Sequence, residues 1–222
     1  MAALKEALAA THSKAKIVFE EYAPQNATDF TASAQRLFDA LKDKPGRKII
    51  AFIWAGPHPL AKIADLKPER YGIELAPGGN ILPVMKQFRQ YPGIEGAIYY
   101  YYGFPKNPMN DAFVAESVKR YNVPPDLFSA GGFVTVAAIL NGIKKAGTTD
   151  TEKLIAAMEG MEFDTPKGKM TFRKEDHQAM QSQYVFQTKK APGSKGELDV
   201  LDLVREVPAS EMPVPVKVKS AQ

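Results

Sequence analysis

The apolar positions change period several times along the chain, and each change marks an element. Leu4 and Leu8, four apart, give "AALKEALAA" one apolar face and predict an amphipathic helix without an N-cap. In "AKIVFEEY", Ile17 and Phe19 alternate with Val18 and Glu20, which predicts a strand. The turn-rich "APQNATDF" follows. Thr28 is placed to cap a helix from Asp29 to about Lys42, with Phe30, Ala34, Leu37, Phe38 and Leu41 as its apolar stripe, and "DKPGRK" breaks it. Ile49 to Ala55 are then continuously apolar. Such a run between turn signals suits a parallel strand covered on both faces. Next come a short helix "PLAKIADL", a short strand "GIELA", the turn "PGGN", and a helix "PVMKQFRQ" with Pro83 in its first turn. "GAIYYYY" is another strand. Strands alternating with helices predict an α/β fold with a parallel sheet.

After Gly103 the period is helical. Asp111 to Tyr121 forms one helix, with Phe113, Val114 and Val118 on one side, and "NVPPD" stops it. Leu127 to Ala146 is a second, nearly apolar helix that Gly147 is placed to end. "TTDTEKLIAAMEG" is a third, with Thr149 as expected N-cap, Glu152 as its capping-box partner and Gly160 as its stop. "GKMTFRKEDHQAMQSQYVFQTKK" reads as two strands around a polar turn. The tail carries Pro208, Pro213 and Pro215 and is expected to wrap a surface or fray.

Composition narrows the chemistry. The 222 residues are 45% hydrophobic and 24% charged, as in an ordinary globular protein. The 29 basic and 25 acidic residues leave a net charge of +4 with no basic block, so no nucleic-acid surface is expected. There are no cysteines, which excludes disulfides and thiolate metal sites. No run approaches about 18 consecutive apolar residues, the length of a membrane span. Lys5 and Glu6 interrupt the first apolar stretch, unlike the core of a signal peptide. His12, His58 and His177 have no metal-ligand spacing, and no phosphate loop, dinucleotide fingerprint or nucleophile elbow is present. Neither a metal nor a cofactor is therefore called for. Asp176-His177 could be an acid–base dyad, but a polar turn between two strands is the preferred reading.

Ligands of open parallel sheets bind in the loops beyond the carboxyl ends of the strands. Here those loops are "WAGPHP", "APGGN" and "YYGFP". They offer Trp54, His58, Tyr101, Tyr102 and Phe104, an aromatic rim with few charges. Each has a plain alternative. Trp54 packs or contacts ligand, His58 between two prolines is a turn residue or a ligand contact, and at least two of Tyr99 to Tyr102 pack under helices if they alternate across a strand.

The order of these elements resembles a known family. "DFTASAQRLFDALKDKPGRKIIAFIWAGPHPLAKIADL" is similar to the second lobe of type I solute-binding proteins of ABC transporters, in the branch named for leucine, isoleucine and valine. "GIEGAIYYYYGFP" looks like the strand leaving that lobe through the hinge. "DAFVAESVKRYNVPPDLFSAGGFVTVAAILNGIKKAGTTDTEKLIAAMEGMEFDTPKGKMTFRKEDHQ" resembles the return segment. The resemblance covers roughly residues 1 to 205.

The resemblance implies two α/β lobes with a small molecule captured between them, membrane permease subunits as partners, and a periplasmic location. Residues 1–104 would be second lobe with a truncated start, 105–165 helices of the first lobe, 166–205 return strands to the second, and 206–222 a Pro-rich tail. Strands of the family's first lobe have no counterpart. The family's aromatic contact maps to Trp54 and its neighbours Ala55, Gly56 and His58. The acidic residue with which amino-acid binders meet the ligand ammonium maps to Pro77 and Gly78, where there is no carboxylate. An ammonium buried there would lack a partner, so the expected ligand is an aromatic or aliphatic carboxylate or an amide rather than a zwitterionic amino acid. Phe128 matches the first-lobe aromatic, and Tyr102 is a further cleft candidate. A sensory domain of the same fold, an enzyme with scattered catalytic groups, or a fragment that does not fold alone are the other readings.

Overall fold

A computed structural model describes residues 1–24, 26–54, 59–189, 196–212 and 214–216. The elements are α1 (Ala2–Ala10), α2 (Thr31–Leu41), β1 (Lys48–Phe52), α3 (Leu60–Asp65), β2 (Ile73–Pro77), α4 (Leu82–Phe88), β3 (Glu95–Ile98), α5 (Pro108–Tyr121), α6 (Leu127–Ala146), α7 (Thr151–Met158), β4 (Glu162–Thr165), β5 (Gly168–Phe172), β6 (Ala179–Met180), β7 (Gln183–Thr188) and β8 (Leu201–Val207). They fall into two compact units. One holds residues 1–11, 99–184 and 205–222, and the other holds 12–98 and 185–204.

In the second of these units, β1 and β2 run parallel, with Ile50 opposite Leu75 and Phe52 opposite Pro77. A parallel bridge from Gly78 to Ala97 brings β3 alongside. The strands β3, β7 and β8 form a three-stranded sheet in that order. Ala34, Phe38 and Leu41 form the buried stripe of α2, and Leu82, Met85 and Phe88 that of α4. Their three- and four-residue spacing is what a helix needs to cover a sheet.

Two glycines let β2 and β3 meet. A Cβ on Gly79 would lie 2.4 Å from the Ile98 Cγ1 and 2.8 Å from its Cα. A Cβ on Gly96 would lie 2.3 Å from the Pro77 carbonyl oxygen. With no side chain in the way, the Gly79 N–H donates to Ala97 O at 2.6 Å.

In the other unit, α6 packs through Ala130, Val134, Ala138 and Gly142. Val134 and Ala138 share a core with Met161, Phe163 and Met170. The hairpin β4–β5 pairs antiparallel, and β6 adds to its edge. Asp126 caps α6 by accepting the Phe128 and Ser129 N–H groups, and Gly147, at φ 66°, ends it. By length and composition alone, α6 would also fit a membrane span, which the sequence pattern, broken by glycines and polar residues, does not suggest.

Several expectations need correction. Residues 17–20 form no strand, because no described strand offers them a ladder, and Val18 and Phe19 are exposed. The tyrosine strand ends at Ile98, so Tyr99 to Tyr102 do not alternate across a sheet. Asp29, not Thr28, accepts the Thr31 N–H at the start of α2. Asp150, not Thr149, caps α7 by accepting from the Lys153 N–H at 3.1 Å. A carboxylate one residue later meets the same orphan donors and suits the positive end of the helix.

The glycine pairing gives a stability test. Gly79→Ala is expected to destabilise by about 1–3 kcal/mol, because neither backbone can retreat. Gly132→Ala on α6, where an added Cβ meets nothing within 4 Å, is expected to stabilise by about 0.5–1 kcal/mol. Urea unfolding midpoints of the two variants against the parent check both signs.

Candidate functional site

The parallel register sets what lies at the carboxyl end of the sheet. Because Phe52 faces Pro77, the residues just beyond β1 and β2 are neighbours. The Gly78 N–H donates to Phe52 O at 3.1 Å. A Cβ on Gly78 would rest 3.7 Å from the Ile53 side chain. Ile53, Pro77 and Gly78 therefore meet on one unit, with Trp54 next in the chain; Pro77 is buried, and Trp54 and Gly78 are half-buried. Ala55, Gly56 and His58 lie outside the described residues.

Trp54 packs edge-on against Phe30, ring centroids 5.1 Å apart at 80°. Its indole Nε1 is buried and has no hydrogen-bond partner among the described residues. Buried tryptophan N–H groups usually find an acceptor, so this donor marks a place where an acceptor would be favoured. The Phe30 contact was not foreseen, since the helical period assigned Phe30 to the stripe of α2.

Glu74, the nearest carboxylate in β2, is engaged elsewhere. The guanidinium of Arg47 donates to both its oxygens, at 2.7 to 3.1 Å. That hydrogen bond holds the Glu74 carboxyl below its usual range. Glu74 also lies one residue into the strand, toward its amino end. A cavity of about 740 Å³ opens at that same end, lined by Arg47, Glu74, Tyr91 and Glu95 among others. It lies at the end of the sheet opposite Trp54 and away from the strand termini that receive ligands in parallel sheets.

Tyr102 and Phe128 belong to the other unit. Phe128 is 70% exposed at the first turn of α6. Tyr102 is half-buried, its ring 4.7 Å from that of Tyr101. Tyr100 and Tyr101 are almost fully buried. The Tyr100 hydroxyl donates to Asn110 Oδ1 at 2.7 Å. Burial pushes its phenol well above the ordinary tyrosine range. Asn110 in turn donates its amide to Tyr102 O at 3.0 Å and Pro105 O at 3.2 Å. One carboxamide thus fixes the backbone on both sides of the "YGFP" turn. No sequence pattern marked Asn110, because a single buried Asn on a helix has no periodic signature.

Asp176 and His177 do not form a dyad. Asp176 accepts two hydrogen bonds from Arg173, at 2.7 and 2.6 Å. His177, at φ 58°, turns its Nε2 to Glu159 Oε1 at 3.1 Å. Among the described residues, no group of three or more His, Asp or Glu gathers to hold a metal.

A family model described as periplasmic binding protein matches residues 1–196. The chain belongs to this periplasmic binding protein family. A solved structure of an ABC-type branched-chain amino acid transporter from Rhodopseudomonas palustris is 58% identical, with a TM-score of 0.86. It covers 99% of this chain, and the chain spans 58% of its length. The leucine-, isoleucine-, valine-, threonine- and alanine-binding protein of Pseudomonas aeruginosa is 32% identical over 69 residues, 31% of this chain and 18% of that protein. A solute-binding protein of an ABC transporter from R. palustris HaA2, solved with p-hydroxybenzoic acid, shares the fold at 23% identity and a TM-score of 0.71, covering 93% of this chain and 55% of its own. The type I periplasmic binding protein fold read from the sequence therefore stands, carried over part of the length of such a protein. The similar proteins are solute binders rather than enzymes.

The tyrosine turn of this periplasmic binding protein gives a graded test. Tyr100→Phe, which leaves Asn110 Oδ1 without its donor, is expected to cost about 1–2 kcal/mol. Asn110→Ala, which strips two carbonyls of their donor and leaves a cavity, is expected to cost about 2–4 kcal/mol. Guanidinium unfolding of the two variants checks the order.

Proposed function

We propose that the chain is the solute-binding component of an ABC importer, working outside the cytoplasm and delivering its ligand to membrane permease subunits. The ligand is a small aromatic or aliphatic carboxylate or amide, not a zwitterionic amino acid. On the unit that carries β1 and β2, Trp54, Pro77 and Gly78 contact it. Capture needs no covalent step. Ligand favours whichever conformation it binds more tightly.

The observation that carries this reading is the buried, unpartnered indole N–H of Trp54 at the carboxyl end of β1. A donor held in an apolar setting favours a carboxylate or amide oxygen. Pro77 and Gly78 at that end bear no carboxylate for an ammonium, and Glu74, farther back in β2, is held by Arg47. A buried ammonium without a counter-ion is costly. The reading departs from the amino-acid specificity in the names of the R. palustris transporter and the P. aeruginosa protein. The p-hydroxybenzoate of the HaA2 structure serves as a probe.

The test is a thermal-shift panel on the purified chain with p-hydroxybenzoate, benzoate, benzamide, a short aliphatic acid and leucine. A ligand at a hundred times its Kd stabilises by about 2.7 kcal/mol, a rise of roughly 5–10 °C. The expected result is a shift with an aromatic or aliphatic acid or amide and none with leucine. A shift with leucine alone would overturn the ligand class, and no shift with any probe would overturn capture by this chain. Trp54→Phe, which keeps the ring and removes the donor, is expected to weaken binding of an acid by roughly 10- to 100-fold.

A further inference from the structure

Lys167 is 6% exposed. No carboxylate lies within ion-pair distance of its amine among the described residues, although burying an unpaired lysine is costly. Its position is set from the backbone. It sits in the tight turn between β4 and β5, where the buried Thr165 hydroxyl accepts the Lys167 N–H at 3.1 Å and donates to Gly168 O at 2.7 Å. Gly168 supplies the φ of 96° that the turn requires.

From this turn the side chain reaches Ser182 O at 2.6 Å and Gln181 Oε1 at 3.5 Å. Its Nζ stands 3.8 Å from the centroid of the Tyr99 ring and 5.5 Å from that of Tyr184. Glu206 adds a negative charge near enough to be felt. These residues have a common property. The chain passes between the two units at 11/12, 98/99, 184/185 and 204/205. Tyr99 is the first residue after the second passage, Tyr184 the last before the third, and Glu206 the second after the fourth. The amine therefore packs on a residue at the second and at the third of the four passages.

We propose that Lys167 is a positioning residue that fastens the second and third passages to the β4–β5 turn, and that uptake of a proton loosens them. Burial lowers the proton affinity of the packed amine, to a pKa of about 7, against about 10.4 for an exposed lysine. Between those values the fastened amine is uncharged, and a released one takes up a proton. Fastening therefore strengthens as pH rises from about 7 toward 10.4 and weakens as pH falls through that window. The Tyr99 and Tyr184 phenols are raised by burial. The Tyr99 ring face and the Ser182 carbonyl recover part of the cost when the amine is charged.

Amide hydrogen exchange of the intact chain between pH 7.5 and 9, corrected for intrinsic rates, tests this. Segments 99–104 and 181–184 are expected to open together, about tenfold more for each pH unit lowered, while α2 shows no such slope. Lys167→Met, which keeps the apolar stem, is expected to abolish the slope in both segments. Lys167→Arg, permanently charged, is expected to show high, pH-independent opening and serves if the Met variant does not fold. A slope that survives either substitution, unequal slopes in the two segments, or no slope in the parent chain would overturn the proposal.

Discussion

The sheet of the second unit depends on a backbone contact that no side chain could occupy. Between the residues just beyond β2 and the carboxyl-terminal half of β3, the chain comes close enough for Gly79 N–H to reach Ala97 O at 2.6 Å. That closeness requires bare Cα atoms at Gly79 and at Gly96. The bridge from Gly78 to Ala97 then carries the parallel order of β1 and β2 across to β3. Had either glycine carried a side chain, β2 and β3 would splay and the carboxyl ends would no longer gather.

Much of this was legible in the sequence, because the strongest signals are periodic. The continuous apolar run at 49–55 declared the parallel strand β1 but not its surroundings: cover on both faces was expected, whereas Ile50 and Phe52 are buried and Ile49, Ala51 and Ile53 are exposed. Pro83, Gly147 and the three- and four-residue stripes of α2 and α4 set helices within a residue or two of their observed ends. What was not legible is local or non-periodic. Residues 17–20 have a strand pattern but no ladder among the described residues, and a pattern cannot supply a partner. The tyrosine run resembles a strand by composition, yet the hydrogen bonds of Asn110 draw its backbone into a turn. The choice between Thr149 and Asp150 as cap turns on one residue of phase, which sequence reasoning does not resolve.

At the carboxyl end of β1 the place of Trp54 was legible, and its polar detail was not. Trp54 stood out from its place after the strongest strand. That its buried N–H has no hydrogen-bond partner among the described residues is visible only in the fold. The same holds for the pairing of Glu74, which needs Arg47 brought across from the start of β1. In both cases the decisive partner is distant in sequence: 24 residues for Trp54 and Phe30 (54 minus 30) and 27 for Arg47 and Glu74.

Trp54 is the chain's single tryptophan, and this has an optical consequence. Excited selectively, the protein's indole emission comes from one ring at the carboxyl end of β1, with no other indole to average it. A ring held edge-on to Phe30 with its N–H unsatisfied emits to the blue. An acceptor arriving at that N–H shifts the band toward the red, so the protein carries its own single-site reporter without a label.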